Sequence, residues 1–95
     1  MITSFFENSL NLHVEIIFNM ALPEERSFLV SLGKQIAILR KKKGISQIEL
    51  GYRCDFEKSN MRRIEAGRTN PTALTIRKIS KALGIPLKKI LDFEN

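Results

Sequence analysis

Apolar residues recur at helical spacing along most of the chain. In the first such segment they lie three or four residues apart, at Phe28, Leu32, Ile36 and Leu39. This spacing predicts one long helix with a single buried face. Pro23 precedes the segment as a residue favoured at the first helical position, and a basic run followed by Gly44 marks its end.

Two short helical patterns joined by a turn follow. Ser46 is placed to cap the first helix, and Glu49, three residues later, is the second half of a capping box. Asp55 stands at the turn, since aspartate tolerates the left-handed backbone conformation better than most residues. The pattern predicts a second helix that begins near Phe56 and ends before Gly67.

Two further helical segments complete the pattern. Thr72 can cap the first of them and Gly84 can close it. Pro86 opens the second, which we expect to end near Phe93. The fold class predicted from these segments is all-α, with five helices.

Residues 1 to 22 form an N-terminal extension with a different pattern, and residues 23 to 95 form the helical domain. Within the extension, every second position is apolar, at Leu12, Val14, Ile16 and Phe18. This alternation predicts a β-strand with one apolar face. The strand could pair with its copy in a second subunit, lie on the helices or remain disordered. Alternatively, residues 1 to 19 are a translated upstream extension, since Met20 offers a second start.

Charge is distributed unevenly along the chain. Residues 1 to 25 hold four acidic and no Lys or Arg residues, whereas residues 26 to 95 hold all 16 basic residues against six acidic ones, a net charge of +10. A domain with this charge favours a polyanion as its partner. The other interpretation is a solvated basic surface that only keeps the protein soluble.

Few residues of this chain carry reactive chemistry. Cys54 is the single cysteine and His13 the single histidine, so an intramolecular disulfide is impossible, and a metal site or a histidine-based catalytic group lacks partners. Cys54 occupies an apolar position of its helix and is predicted to lie in the core. Paired carboxylates, a nucleophile elbow and a Gly-rich phosphate loop are also missing from the sequence. We therefore predict a protein that is not an enzyme and binds no cofactor or metal.

The apolar residues of the N-terminal extension do not form a targeting or membrane segment. No basic region precedes them, as it would in a secretory signal, and His13 and Glu15 interrupt them. The 18 or more apolar residues that a membrane span needs are not present either. We expect the protein to lie in the cytoplasm.

The segment from Ile45 to Pro71 resembles the helix-turn-helix of the phage-repressor-like family, the Cro/cI or XRE type. The residues that carry the resemblance are Ile45, Ser46, Gln47, Leu50, Arg63, Ile64, Glu65, Gly67, Asn70 and Pro71. With the flanking helices, the resemblance covers about residues 30 to 91. Two positions depart from the family pattern. Asp55 stands where glycine is usual in the turn, and Gly51 stands where another small residue is usual.

This resemblance implies a five-helix repressor-like domain that binds double-stranded DNA with sequence specificity. The protein would be a transcriptional regulator, a repressor that binds palindromic operators as a dimer. The residues implied to reach base edges are Lys58, Ser59, Arg63 and Glu57. Those implied to hold phosphates are Gln47, Asn60, Arg62, Arg68, Asn70 and Arg40.

Two of these residues have a second interpretation. Glu57 could accept a hydrogen bond from a cytosine amine, or, as an acid in the first turn of a helix, it could only complement the helix dipole, and we favour the latter. By the resemblance, Arg40 also pairs with Glu65. We expect this ion pair to be partly buried where the two helices meet.

Alternatives remain for the partners of the chain. An antitoxin-like module that neutralises a toxin-like protein and binds DNA for autoregulation is the alternative function from another class. The homodimer could form through the strand at residues 12 to 18 or through the last helix, and we favour the helix. The apolar residues of that helix are Leu87, Ile90, Leu91 and Phe93.

Overall fold

The computed structural model describes residues 22–94, which contain five helices joined by turns and loops. In chain order they are α1 (Pro23–Lys42), α2 (Gln47–Arg53), α3 (Asn60–Glu65), α4 (Ala73–Leu83) and α5 (Leu87–Ile90). The predicted all-α fold class is confirmed. The predicted strand at residues 12 to 18 lies outside the described residues, and the division into an extension and a domain stays a prediction.

The long helix α1 begins at Pro23, as predicted, and ends with basic residues in its last turn. Three of its predicted core positions are buried: Leu32, Ile36 and Leu39. Phe28 is 42% exposed, because it lies in the N-terminal half of α1, away from the core centre. Its ring packs against that of Phe93, with 5.5 Å between the ring centroids.

The helices share one apolar core. Its buried members are Leu32, Ile36, Leu39, Leu50, Cys54, Met61, Ile64, Ile76, Ile79, Leu83 and Ile90. The predicted burial of Cys54 is confirmed, and desolvation raises the pKa of its thiol, an effect that the positive charge of Lys78 partly opposes. The thiol is therefore protonated at neutral pH and packs as a small apolar group.

The helix α3 is shorter than predicted and begins later. It starts at Asn60 and not near Phe56, because residues 55–59 form a turn, at the end of which the Asn60 N–H donates to the Glu57 carbonyl oxygen at 2.9 Å. Asp55 opens this turn with φ +56°, which confirms the expectation that aspartate adopts the left-handed conformation here. The turn is attached to α2, since the Phe56 N–H donates to the Gly51 carbonyl oxygen at 2.9 Å.

The last helix is also shorter than predicted and ends at Ile90. The predicted end near Phe93 is wrong, because a side chain of α1 binds one carbonyl group in the last turn of the helix and one beyond it. The Gln35 amide donates to the carbonyl oxygens of Lys89 at 2.9 Å and Asp92 at 3.2 Å. This contact fixes the C-terminal segment against α1.

Candidate nucleic-acid interface

The first residues of α2 are held by a side-chain cap. The Ser46 hydroxyl oxygen accepts from the Glu49 N–H at 3.0 Å, as predicted. The Glu49 carboxylate, predicted to complete a capping box, accepts from Arg53 Nε at 3.0 Å one turn further along the helix. The cap leaves Gln47 as the first helical residue of α2.

The end of α3 is closed by a glycine turn that connects two predicted DNA contacts. Gly67 has φ +72°, a conformation that favours glycine, and its N–H donates to the Ile64 carbonyl oxygen at 3.1 Å. The Arg68 N–H donates to the Arg63 carbonyl oxygen at 2.9 Å. The backbone of Arg63, predicted to read a base, is thereby fixed to that of Arg68, predicted to hold a phosphate.

A buried ion pair joins the end of α1 to the end of α3. Arg40 Nε donates to Glu65 Oε2 at 2.7 Å and Arg40 Nη2 donates to Glu65 Oε1 at 2.9 Å. The two side chains are 11% and 6% exposed, respectively. The expected ion pair is therefore confirmed, and its two parallel hydrogen bonds are the strong bidentate geometry.

The Glu65 carboxylate also binds the first residue of α2. Gln47 Nε2 donates to Glu65 Oε1 at 3.0 Å, and Arg40 Nη1 donates to the Ile45 carbonyl oxygen at 2.9 Å. Since an amide has two N–H groups and a guanidinium five, Gln47 keeps one N–H and Arg40 keeps two that these bonds do not use. Arg40 is largely buried, so its main contact is with the protein interior.

The residues predicted to read bases lie at the start of α3 and along it. Lys58 and Glu57 are exposed in the turn before α3, and Ser59 is half-buried at the N-cap position, where its hydroxyl makes no capping bond. Arg63 is half-buried on α3. Glu57 does not lie in the first turn of a helix, because α3 begins at Asn60. The prediction that Glu57 lies in the first turn of a helix is therefore wrong.

A shallow groove of about 300 Å³ brings several of these residues together between α2 and the turn. It is lined by Gln47, Ile48, Gly51, Tyr52, Phe56, Glu57, Lys58 and Met61. One predicted phosphate contact, Gln47, thus lies beside two predicted base contacts, Glu57 and Lys58. Outside the groove, Arg62 is exposed on α3, and Arg68 and Asn70 are exposed in the loop that follows.

One residue of the region, Gly33, was not predicted from the sequence pattern. Gly33 is buried in the middle of α1, against the end of α3. The signal was present, because a glycine inside a helix costs about 1 kcal/mol relative to alanine and often marks a close approach of two backbones.

The described residues hold no metal-binding group and no membrane-spanning helix. Across residues 22–94, no three His, Cys, Asp or Glu side chains are grouped so that they could hold a metal ion. The longest helix in this range, α1, is too polar to cross a membrane, and the other four are too short.

Comparison with known proteins identifies the family. The model of the helix-turn-helix family matches residues 36–90, more than half of the chain, and includes α2, α3 and α4. The chain belongs to the phage-repressor-like helix-turn-helix family. The resemblance seen in the sequence between Ile45 and Pro71 is confirmed.

Two related proteins and one solved structure each match more than half of this chain. The control protein C.BamHI of Bacillus amyloliquefaciens is 39% identical over 62 residues, which are 64% of this chain and 76% of that protein. The uncharacterised HTH-type transcriptional regulator y4dJ of Sinorhizobium fredii is 37% identical over 54 residues, 57% of this chain and 70% of that protein. The crystal structure of the restriction-modification controller protein C.AhdI from Aeromonas hydrophila superposes with a TM-score of 0.64 at 31% identity, covering 65% of this chain and 94% of that one.

Membership of this family establishes the general function of the chain. The protein is a helix-turn-helix transcription regulator that binds DNA, and it is not an enzyme. Both of these sequence predictions are confirmed.

Proposed function

We propose that this chain is a cytoplasmic transcriptional repressor that binds palindromic operators as a homodimer. The observation that carries the proposal is the orientation of α3. Its last residue, Glu65, is held inside the protein by Arg40 and Gln47, whereas Lys58 and Glu57 before its start are exposed beside the first turn of α2. This arrangement supports insertion of the start of α3 into a major groove.

In the proposed complex, the residues near the start of α3 read base edges. Lys58 and Ser59 lie nearest to the bases, and Glu57 accepts from a cytosine amine. Arg63 lies one turn further along α3, where a guanidinium can donate two hydrogen bonds to O6 and N7 of a guanine. These contacts determine the sequence that is bound.

The residues around the recognition helix hold the DNA backbone. Gln47, at the start of α2, keeps one amide N–H for a phosphate while the other is held by Glu65. The remaining proposed phosphate contacts are Asn60, Arg62, Arg68, Asn70 and, through its two remaining N–H groups, Arg40. Such contacts fix the register of the protein on the duplex and make the affinity dependent on salt.

The homodimer follows from the size of the module. One recognition helix covers a few base pairs, so two copies on half-sites about 34 Å apart are needed for tight and specific binding. The favoured interface includes the exposed Leu87 and Leu91, which are 44% and 51% exposed. Ile90 does not contribute, because it is fully buried in the core of its own subunit.

Selection of bound duplexes from a random pool tests the function. We expect one enriched motif with two-fold symmetry and half-site centres about one helical turn apart. The control is the triple variant Lys58→Ala, Ser59→Ala, Arg63→Ala, which should retain salt-dependent binding without enriching a motif. If the unaltered protein enriches no sequence, the proposed sequence-specific repressor is wrong. Copurification with a stoichiometric protein partner would favour the antitoxin-like alternative.

Molecular mass in solution tests the assembly. We expect a dimer at tens of micromolar, and the double variant Leu87→Ser, Leu91→Ser should be a folded monomer that binds the selected duplex more weakly. Deleting residues 1–19 is the matched control and should leave the dimer intact. Loss of the dimer on this deletion would assign the interface to the N-terminal extension, and an intact protein that remains monomeric and selects an asymmetric site would contradict the dimer.

A further inference from the structure

The backbones of α1 and the end of α3 are in direct contact at Gly33. A Cβ atom at this position would lie 2.5 Å from the carbonyl oxygen of Ile64 and closer still to that of Glu65. Both neighbours are backbone atoms, so they cannot rotate away as a side chain could. Any residue larger than glycine would push the end of α3 away from α1.

A second glycine, on the other side of the contact, also lies against a backbone. Gly67, which follows α3, faces Val30 one turn before Gly33, and a Cβ atom on Gly67 would lie 2.5 Å from Val30 Cα and 2.7 Å from Val30 N. The two glycines therefore allow the segments at residues 30–33 and 64–67 to touch backbone to backbone. The contact covers the last turn of α3 and the glycine turn that closes it.

The Arg40–Glu65 ion pair supplies a second point of contact. Arg40 lies seven residues beyond Gly33 on α1, about 10 Å along the helix axis at 1.5 Å per residue. The two contacts are separated along α1, and both hold the last residues of α3 against that helix. This matters because α3 has six residues, and a helix of that length has no stable orientation of its own.

We propose that Gly33 is a positioning residue for DNA recognition. By admitting the backbone of α3, it sets the tilt at which Lys58 and Arg63 meet base edges while Arg68 and Asn70 meet the phosphates of the same duplex. The inference rests on the proposed function. The two sets of contacts are coupled, because the Arg68 N–H donates to the Arg63 carbonyl oxygen, so a shift of one displaces the other.

Gly33→Ala tests the inference, with Gly51→Ala as the matched control. Both glycines are buried inside helices, and alanine improves helix propensity equally at both. A Cβ atom on Gly51 meets only Met61 Cβ at 3.6 Å, which is ordinary contact. Each variant is titrated with the selected duplex and with a scrambled duplex, after circular dichroism has shown that it is folded at the temperature of binding.

For Gly33→Ala, affinity for the selected duplex should fall at least about fivefold, the lower end of what the loss of one base contact costs. Affinity for the scrambled duplex should change little, because binding there uses phosphate contacts alone and does not require that bases and phosphates be met together, so the ratio of the two affinities falls. Gly51→Ala should keep the ratio of the unaltered protein. A folded Gly33→Ala variant with an unchanged ratio, or with equal losses on both duplexes, would overturn the inference.

Folding of the variant is controlled separately. If Gly33→Ala is unfolded at the temperature of binding, it is measured at 10 °C together with Asp55→Gly, which relieves the left-handed conformation of Asp55. A chain that is still unfolded shows that Gly33 acts in folding and not in placement, and overturns the inference. If the unaltered protein itself does not distinguish the two duplexes, the proposed function fails, whereas retained discrimination in Gly33→Ala contradicts the positioning role alone.

Discussion

The two ends of α3 differ in how they are held. At its C-terminal end, the Glu65 side chain is 6% exposed and accepts from Arg40 and Gln47, and Gly67 closes the helix against α1. At its N-terminal end, Ser59 makes no side-chain cap and Lys58 is exposed. The buried end anchors the helix, and the exposed end is available to a ligand.

This difference explains how a helix of six residues can present side chains with a defined direction. Intrinsic helix propensity cannot stabilise so short a helix in water, so its orientation depends on tertiary contacts. Those contacts are concentrated at one end, where they exclude solvent, and the polar groups at the other end are exposed to water. Substitutions along α3 should therefore differ in their effects. A substitution at Glu65 should cause the larger loss of stability, and substitutions near Lys58 and Arg63 should cause the larger losses of binding specificity.

The largest effect on stability is expected from Glu65→Gln. The substitution leaves the buried Arg40 guanidinium without a negative partner, so the free energy of unfolding should fall by about 3 kcal/mol or more. Urea denaturation followed by circular dichroism measures it. Glu49→Gln is the matched control, because its ion pair with Arg53 is 46% and 49% exposed and should contribute less than about 1 kcal/mol. Equal losses of unfolding free energy for the two variants would show that the ion pair at the C-terminal end of α3 stabilises the protein no more than an exposed pair does.

The next effect concerns binding and compares Arg63→Ala with Arg68→Ala. Arg63→Ala should weaken binding of the selected duplex by about 1 to 3 kcal/mol and relax the preference at one base pair. Arg68→Ala should weaken selected and scrambled duplexes alike and reduce the salt dependence by about one phosphate contact. Titrations at several salt concentrations distinguish the two. If Arg63→Ala loses the same free energy on both duplexes, Arg63 does not read a base.

A smaller effect on stability is expected from the N-cap residues of α2 and α3. Ser46→Ala removes the hydroxyl that accepts from the Glu49 N–H and should lower the free energy of unfolding by about 1 kcal/mol. Ser59→Ala removes no capping bond and should change it by less than about 0.5 kcal/mol. On DNA the order should reverse, with the larger loss of specificity for Ser59→Ala. Thermal melting and titration of both variants measure this, and a destabilisation by Ser59→Ala as large as that by Ser46→Ala would contradict the exposed, uncapped start of α3.

The smallest effect is expected at Cys54, which ends α2 just before the turn that leads to α3. Burial raises the pKa of this thiol in the folded state, so its contribution to stability is complete below the ordinary pKa of a thiol and is lost as the pH rises through the raised pKa. At neutral pH, reaction with a thiol reagent should require unfolding, so its rate should fall with the unfolded fraction as urea is removed. Cys54→Ser serves as the blank. Rapid reaction of the folded protein would show that the turn before α3 opens locally.

Much of this arrangement could be predicted from local sequence signals. Ser46 and Thr72 cap helices as expected, with Thr72 Oγ1 accepting from the Thr75 N–H at 3.1 Å. Gly67 and Gly84 end helices, each with positive φ. These features depend on one residue and its neighbours in the chain, so the amino-acid types alone determine them. The Arg40–Glu65 ion pair joins residues 25 positions apart, and its expectation came from the family resemblance and not from any local pattern.

The tertiary structure decided what depends on contacts between distant segments. The sequence pattern allowed a helix from Phe56, but the chain forms a turn bonded to α2 there, so α3 starts at Asn60 and Glu57 lies outside it. Gln47 was expected to hold a phosphate, and only the fold shows that Glu65 takes one of its N–H groups. In the sequence, Gly33 is only a residue of low helix propensity within a long helix. Its role becomes visible only when α3 lies against it, because a missing Cβ atom has meaning only where another backbone occupies its place.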